Sequence, residues 1–368
     1  MKVFADVKLA ISFFEALMLK FIFKRIAYGF FIILGVIHVV FFLFHALPGD
    51  PVQMMLGSRS DKEAREAIRH ELGLDLPLYE QFAKYLNDLS PVSIHHDTDK
   101  NQKKYSYQKL IDLGHHALVV KSPYLRRSFQ SNQRVDEIIV DNLEGTLVLA
   151  LASMLFATFF GIVFGLIAAL KQNTFWDHLV ISTSVMGISA PSFVMAIIIS
   201  MLFGYYLHEY TGLPLTGSLW ANDPLLGRQL QLKNLILPAF TLGIRPLAII
   251  AQLTRSSMIE VLSQDYIRTA KAKGLNKFAI VLKHALKNAL NPVITAVSGW
   301  MASLMAGAFF IEYIFHWKGL GLKTLKAVEM LDFPVVMGAT LVVAIVFVLI
   351  NLIVDILYAT IDPRVRLT

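Results

Sequence analysis

Long apolar runs are the feature that most restricts how this chain can fold. The chain has 368 residues, of which 55% are hydrophobic and only 17% charged. A bilayer core about 30 Å thick is crossed by roughly 20 apolar residues of helix, and six stretches have that character. They are residues 26–47, 146–170, 179–206, 235–253, 293–311 and 335–357. We therefore expect an all-α integral membrane protein with six spans.

The distribution of lysine and arginine predicts the orientation of these spans. Basic residues concentrate before residue 26, between 255 and 287, and after 363, whereas the two short loops on the opposite side hold few. Cytoplasmic loops carry such an excess, so we expect both termini to be cytoplasmic. The net charge of +7 then reflects these loops, and no nucleic-acid partner is expected.

These spans divide the chain into four segments. They are a cytoplasmic N-terminal segment 1–25, the first helix with an extracytoplasmic loop 26–141, a transmembrane core 142–358 and a cytoplasmic tail 359–368. The core contains a cytoplasmic loop, residues 256–290.

The extracytoplasmic loop contains two predicted amphipathic helices. Helical spacing predicts one at 61–72, ended by Gly73, and another at 78–89. Residues 90–124 are polar and lysine-rich without clear periodicity, and we expect a surface excursion there.

Residues 263–290 form a basic, mostly helical segment between the fourth and fifth spans. Ser263 can cap a first helix that runs to Lys273, and Gly274 can supply the left-handed residue that ends it. Asn276 can cap a second helix that runs toward Leu290. We therefore expect two short helices joined by a defined turn.

Two interpretations of this turn remain open on the residues alone. Ala270 and Ala272 are small enough to let another protein approach closely, which favours a docking surface. A basic loop that touches lipid headgroups would have a similar composition.

Polar residues inside the spans are candidates for function or for packing. Arg245 is costly in the middle of the fourth span, so it should face a pathway or a structural ion pair, and both readings stay open. Asp355 and Asn351 favour helix pairing in the last span. Prolines 191, 238 and 246 are expected to interrupt the third and fourth spans.

Several kinds of chemistry are absent from the sequence. No Gly-x-x-x-x-Gly-Lys-Ser/Thr motif is present, and we find no credible nucleophile and base, so no catalytic residue or bound cofactor is expected. The pairs His95-His96 and His115-His116 could hold a metal, but adjacent residues in a strand point to opposite faces, and no cysteine helps. We therefore predict no metal site.

The segment 263–290 resembles the coupling loop of permease subunits in binding-protein-dependent ABC importers, and most closely that of the dipeptide, oligopeptide and nickel branch. The matching positions are Asp265, Tyr266, Arg268, Thr269, Ala270, Ala272, Lys273, Gly274, His284, Ala285, Asn288 and Ala289, and Leu275 follows the glycine. Arg268 and Thr269 stand where the wider family has glutamate and alanine.

Shorter motifs in the same order extend the resemblance over most of the chain. They are Ala46-Leu-Pro-Gly-Asp-Pro51, Leu72-Gly-Leu-Asp-Leu-Pro77, Arg127-Ser-Phe129, Lys318-Gly-Leu-Gly321 ahead of Asp332-Phe-Pro334, and Asp362-Pro-Arg-Val-Arg366. Residues 90–124 look like an insertion against this family, and residues 1–17, before Met18, look like either an extension or a misplaced start.

The resemblance implies a type I ABC importer transmembrane domain in the bacterial cytoplasmic membrane. Its expected partners are a second permease, two ATP-binding subunits that hold ATP and Mg²⁺, an extracytoplasmic solute-binding protein and membrane lipid. Arg245 would then line the translocation pathway. The cargo stays open between dipeptides, oligopeptides, nickel complexes and other solutes. An ion-coupled secondary carrier or channel is the alternative function, and an intramembrane enzyme a more distant one.

Overall fold

The structure is a computed structural model that describes residues 2–46, 52, 61–223, 225 and 227–361. In these residues four helices are long and apolar enough to cross a membrane, and two bent helix pairs raise the number to six if each pair is one span. The expected helical membrane architecture is confirmed, although the chain also contains two small β-sheets. The predicted motif residues 47–51 and the tail residues 362–368 lie outside the described residues.

The described helices and strands are as follows. The helices are α1 Lys2–Ala46, α2 Lys62–Leu72, α3 Leu78–Leu89, α4 Asp99–Tyr105, α5 Val135–Leu170, α6 Phe175–Ser189, α7 Ser192–Ile199, α8 His208–Thr211, α9 Lys233–Leu262, α10 Asp265–Ala272, α11 Lys277–Ala279, α12 Leu286–Ala289, α13 Asn291–Ile314, α14 Leu320–Glu329 and α15 Phe333–Ile361. Two π-helical segments, Ser200–Tyr206 and Ile280–Ala285, continue α7 and α11. The strands are β1 Val92–His96, β2 Gln108–Asp112, β3 His116–Val120, β4 Trp220–Asp223 and β5 Gly227–Leu230.

The chain forms two compact units. The first, here called the core unit, contains Met1–Ile32, Asn142–Lys323 and Val343–Thr368; the second contains Ile33–Asp141 and Thr324–Val342. Helix α1 begins at Lys2, so residues 2–25 of the predicted N-terminal segment are continuous in secondary structure with the first span.

In the core unit, α5 and α9 approach closely at two glycines. Gly161 and Gly165 lie one helical turn apart on α5, a small-xxx-small spacing that lets membrane helices pack tightly. An added Cβ at Gly161 would lie 2.7 Å from the Ile250 side chain, and one at Gly165 would lie 3.1 Å from the backbone nitrogen of Arg255. Both glycines are therefore required by the packing of α9.

The two prolines of α9 do not interrupt it, so that part of the prediction is wrong. The helix runs from Lys233 to Leu262 through Pro238 and Pro246, both of which are buried. Helix α9 packs against α6, α7 and α13. Each proline removes one backbone donor, and packing inside a helical bundle compensates for that loss.

Pro191 does break the third span. Helices α6 and α7 meet at an angle of 110°, so the predicted interruption at Pro191 is confirmed, and residues 179–206 form one span only as a bent helix pair. Ala190 is extended, with φ −73° and ψ 132°, because the ring of the following proline disfavours the helical region. The break follows directly from the dipeptide Ala190-Pro191.

Helices α1 and α15 are joined by an ion pair in the core unit. The Arg25 guanidinium lies 3.0 Å from the Asp355 carboxylate, which confirms the helix-pairing role expected of Asp355. Asn351 instead donates to the Phe347 carbonyl of its own helix. A Cβ at Gly29 would lie 2.6 Å from Val348, so the two helices also need a glycine to approach.

The second unit contains a folded module where we expected a surface excursion. The three strands form an antiparallel sheet in the order β1-β3-β2, and α4 lies between β1 and β2 in sequence. Tyr107, Ala117 and Val119 form its small core. The alternation was missed because β1 turns Ser93 and His95 inward, while its apolar residues face outward.

Asp88 connects α3 to the end of α4 and to the residue that follows β3. Asp88 accepts a hydrogen bond of 2.9 Å from the Tyr105 hydroxyl, and the Lys121 ammonium donates to the Asp88 backbone carbonyl. Burial lowers the pKa of Lys121 and raises the pKa of Tyr85 to about 12. The module is thus held by polar contacts as well as by its small apolar core.

The predicted helix ending at Gly73, with φ 70°, is confirmed.

We predict that acid weakens this module through His95. The imidazole is only 7% exposed and stacks on Tyr105 at 4.1 Å between ring centres. Burial, followed by the nearby Lys121 charge, lowers the pKa of His95. The unfolded chain therefore binds a proton below about pH 6.5 that the folded module excludes, and stability falls as the pH falls through that window.

Hydrogen exchange of residues 92–120, corrected for intrinsic rates, measures this effect at pH 7.5 and 5.5. His95→Gln should flatten the dependence on pH, whereas the exposed neighbour variant His96→Gln should keep it. An unchanged slope in His95→Gln would contradict the assignment.

Candidate functional site

The first helix of the segment 263–290 begins one residue later than predicted. Helix α10 starts at Asp265 with Gln264 as its extended N-cap. Ser263 instead ends α9, in the helical region of backbone space, and its hydroxyl donates to the Glu260 carbonyl at 2.7 Å. The prediction of Ser263 as the N-cap is therefore wrong, because the serine side chain bonds backward along the preceding helix.

The turn after α10 has the predicted glycine geometry. Gly274 has φ 77°, and its N–H donates to the Lys271 carbonyl at 3.0 Å. The N–H of Leu275 donates to the Ala270 carbonyl at 3.3 Å. These two bonds make a Schellman motif, which ends a helix with a left-handed residue. A Cβ at Gly274 would meet nothing within 4 Å, so backbone conformation alone selects glycine.

The second helix is capped as predicted and is tied to the first. The Asn276 side chain accepts a hydrogen bond from the Ala279 N–H at 2.7 Å. The Asn288 amide donates to the Tyr266 hydroxyl at 2.8 Å, which joins the two arms of the turn. Two of the family-derived candidates therefore fix the angle between the helices.

An apolar cluster lies beneath the turn within the core unit. Its buried members are Ala169, Met258, Ile267, Ala270, Ile280, Ala285 and Ala289. Ala270 is thus covered by this chain and is not available as the small contact residue that we expected, whereas Ala272 is exposed. The cluster joins the ends of α5 and α9 to both arms of the turn.

The outer face of the turn carries most of the predicted residues. The exposed ones are Asp265, Tyr266, Arg268, Thr269, Ala272, Lys273, Gly274, Leu275, His284 and Asn288. Phe278 is 75% exposed beside them and was missed from the sequence. A large apolar residue in the first turn after a predicted N-cap, surrounded by lysines, is the signal that could have identified it.

A bidentate ion pair joins α6 to α9. The Arg255 guanidinium on α9 donates through two nitrogens to the Asp177 carboxylate on α6, one of them at 2.7 Å. Asp177 is 1% exposed and also accepts the Asn173 N–H at 2.9 Å. The pair therefore links the α5–α6 corner to α9 close to the start of the turn.

Arg245 lies at the break in the third span. One of its guanidinium nitrogens donates to the Ile188 carbonyl, in the last turn of α6, at 3.3 Å. Among the described residues it forms no ion pair with a carboxylate, and the side chain is exposed in this single chain. The structural ion pair that we considered is thus not found there, and the arginine instead meets a backbone carbonyl beside the proline break.

A buried glutamate that the sequence reasoning missed organises the segment 317–322. Glu312 is 0% exposed, accepts from the Thr146 hydroxyl at 2.6 Å and accepts the Leu322 N–H at 2.9 Å. The Thr146 hydroxyl in turn accepts the Leu320 N–H at 2.8 Å. A carboxylate at a helix N-terminus satisfies free N–H groups and the helix dipole.

The glycines of the motif Lys318-Gly-Leu-Gly321 are explained by the close approach of α13. A Cβ at Gly319 would collide with the Glu312 side chain, and a Cβ at Gly321 would collide first with Phe309 and then with Glu312. An acidic residue at the end of an apolar span, followed by two glycines two residues apart, is the signal in the sequence. Among the described residues, no group of three or more His, Cys, Asp or Glu is placed to hold a metal ion.

We predict that Asp177 and Arg255 are energetically coupled. Removing either partner leaves the other charge poorly solvated, so Asp177→Ala and Arg255→Ala should each cost about 1–3 kcal/mol, between surface and buried pairs. The double variant should cost less than the sum of the two. Unfolding in mixed micelles measures these energies. The exposed pair Asp265 and Arg268 is the control and should show little effect; additive costs at Asp177 and Arg255 would contradict the coupling.

Two family models match nearly the whole chain. The one described as "Binding-protein-dependent transport system inner membrane component" matches residues 161–367, and its N-terminal counterpart, "Binding-prot-dependent transport system membrane comp, N-term", matches residues 18–150. The di/tripeptide transport system permease protein DppB of Pseudomonas aeruginosa (strain UCBPP-PA14) is 37% identical over 366 residues, covering 95% of this chain and 99% of that relative.

Two relatives from Escherichia coli (strain K12) are similar at the same level. The dipeptide transport system permease protein DppB is 35% identical over 367 residues, and the glutathione transport system permease protein GsiC is 35% identical over 351 residues. Each covers 95% of this chain and 99% of the relative. Among solved structures, the MetNI methionine ABC transporter aligns with a TM-score of 0.48 at 15% identity, covering 62% of this chain and 97% of that chain.

The long matched regions and the identity to full-length relatives agree with the apolar spans and with the helical turn at 263–290. The chain belongs to the family of binding-protein-dependent transport system inner membrane components, and is a multi-pass permease of the peptide branch of ABC importers.

Proposed function

We propose that this permease forms the translocation pathway for short peptides and is driven by ATP hydrolysis in partner subunits. The observation that carries the proposal is the exposed helical turn at 263–290, which is rigid in itself and fastened to the ends of α5, α6 and α9. The partners are a second permease, two ATP-binding subunits and an extracytoplasmic solute-binding protein. In this arrangement the turn and both termini are cytoplasmic.

The turn is built to transmit displacement. The Schellman motif, the Asn276 cap and the bond from Asn288 to Tyr266 each restrain the angle between its two arms. The apolar cluster beneath the turn connects it to α5 and α9. The Asp177–Arg255 pair connects α9 in turn to α6. An ATPase that moved the turn would therefore move the core helices instead of bending the turn itself.

The exposed face of the turn has the composition of a docking surface. Phe278 and Leu275 present apolar surface, while Arg268, Lys271 and Lys277 surround it with positive charge. Exposed aromatic residues with an arginine nearby are typical of interface anchors. Contact with lipid headgroups would use the same charges, and the association experiment below separates the two readings.

Peptide cargo is supported by the relatives, which are named as dipeptide, di/tripeptide and glutathione permeases. Peptides carry a carboxylate, and a guanidinium is the side chain that binds carboxylates most specifically. Arg245, exposed at the broken span, is the candidate for that contact in the pathway. Family membership leaves the ion-coupled carrier or channel without support.

We predict that Gly274→Val abolishes association with the ATPase while the chain still inserts and folds. A side chain in left-handed conformation costs roughly 1–2 kcal/mol, and the branched valine is less tolerant still. Co-purification of the ATPase subunits and peptide uptake are the measurements. Gly212→Val is the matched control, since Gly212 has φ 63° and equally open space in a turn outside residues 263–290. Full association and uptake in Gly274→Val would refute the docking assignment.

We predict that Arg245→Ala impairs peptide uptake in an assembled complex, whereas Arg245→Lys retains part of it. Lysine keeps the charge but not the planar fork that matches a carboxylate. Uptake of a peptide and of its C-terminal amide separates the roles: loss of discrimination between them supports carboxylate contact. Unchanged uptake in Arg245→Ala removes Arg245 from the pathway, and failure of assembly assigns it to the helix break alone.

A further inference from the structure

The sheet of the second unit brings together one histidine from each of the two pairs. His96 in β1 lies directly opposite His116 in β3 in the antiparallel register. Their rings are 4.0 Å apart between centres, and both residues are exposed. His95 points to the opposite face, where it stacks on Tyr105. Strand pairing therefore places two imidazoles side by side on one face of the sheet, whereas two histidines adjacent in a strand point to opposite faces.

The backbone around these two histidines is held from several sides. The His116 carbonyl accepts the Leu113 N–H at 2.9 Å, which closes the β2–β3 turn. The His96 carbonyl accepts the Thr98 N–H at 3.0 Å and the Asn101 amide at 2.9 Å. Only the side-chain torsions of His96 and His116 need to adjust for both rings to face a common ligand.

We propose that His96 and His116 form a surface site for a divalent transition-metal cation of the Cu²⁺, Ni²⁺ or Zn²⁺ class. Neutral imidazole nitrogen suits these borderline ions, whereas Ca²⁺ and Mg²⁺ require oxygen ligands. This site is independent of the proposed transport function. It revises our expectation of no metal, which considered only neighbours in sequence.

The site supplies two protein ligands and leaves the remaining positions to water. The nearby Asp97 carboxylate is engaged by the Lys109 ammonium and by the Tyr107 hydroxyl at 3.1 Å. The Asp112 carboxylate accepts the Gly114 N–H. Asp112 also lies opposite Ala117 in the neighbouring strand, and Ala117 belongs to the buried face of the sheet. Affinity should accordingly follow the general order in which Cu²⁺ exceeds Ni²⁺ and Zn²⁺.

Titration of the full-length protein with Cu²⁺ tests the site, using detergent micelles and a purification tag without histidine. We expect one strong Cu²⁺ per chain, with an electron paramagnetic resonance spectrum that shows two imidazole nitrogens. His96→Gln and His116→Gln should each weaken binding at least tenfold. His115→Gln is the matched control, because His115 is exposed in the same turn, and it should bind as the unchanged protein does.

Moving the pair along the same face provides a positive control. Ile94 and Leu118 are the next cross-strand pair on that face, so Ile94→His with Leu118→His should restore binding to the protein that lacks His96 and His116. No Cu²⁺ binding to the unchanged protein, or equal weakening by His115→Gln, would overturn the proposal. If the single variants lose the hydrogen-exchange protection of the sheet, the protein with the relocated histidine pair becomes the deciding test. Failure of that protein to bind Cu²⁺ would also overturn the proposal.

Discussion

Every backbone polar group freed by a break in a membrane helix must find a partner inside the protein, and this constraint organises the core unit. At the break after Ser189, the Arg245 guanidinium meets the Ile188 carbonyl. At the exposed turn after α10, outside the apolar spans, Gly274 and Leu275 also donate back to the helix they end. At the start of α14, Glu312 and Thr146 receive the free N–H groups. Each break is thus matched by a specific side chain or a specific backbone conformation.

The same partners explain how a chain that is free to change direction at a break adopts one defined direction there. A proline or glycine only permits a change of direction, whereas Arg245 and Glu312 select one direction by fixing where the next segment begins. Gly319 shows the consequence of that selection, because no side chain fits at this position beside the buried carboxylate.

Mechanical continuity between the turn at 263–290 and the long helices depends on two different interactions. The apolar cluster around Met258 and Ile267 is non-directional and holds the turn close to α5 and α9. The Asp177–Arg255 pair is directional and holds α6 in register with α9. The cluster therefore fixes the turn to α5 and α9, and the ion pair fixes α9 to α6.

The sequence by itself determined the membrane class, the approximate spans, the turn at Gly274 and the cap at Asn276, because these depend on local properties: run length, backbone freedom and side-chain reach. Asp355 was also identified, since a charge in an apolar helix needs a partner. Tertiary structure alone decided that α9 continues through Pro246, that Ala270 is covered, that Glu312 receives N–H groups from α14 and that His96 faces His116. Each of these depends on residues far apart in the chain that packing or strand register brings into contact. The strands at 92–120 belong to the same class, because β1 turns polar residues inward, which inverts the hydrophobic pattern that reveals a strand, and β2 has no buried residue.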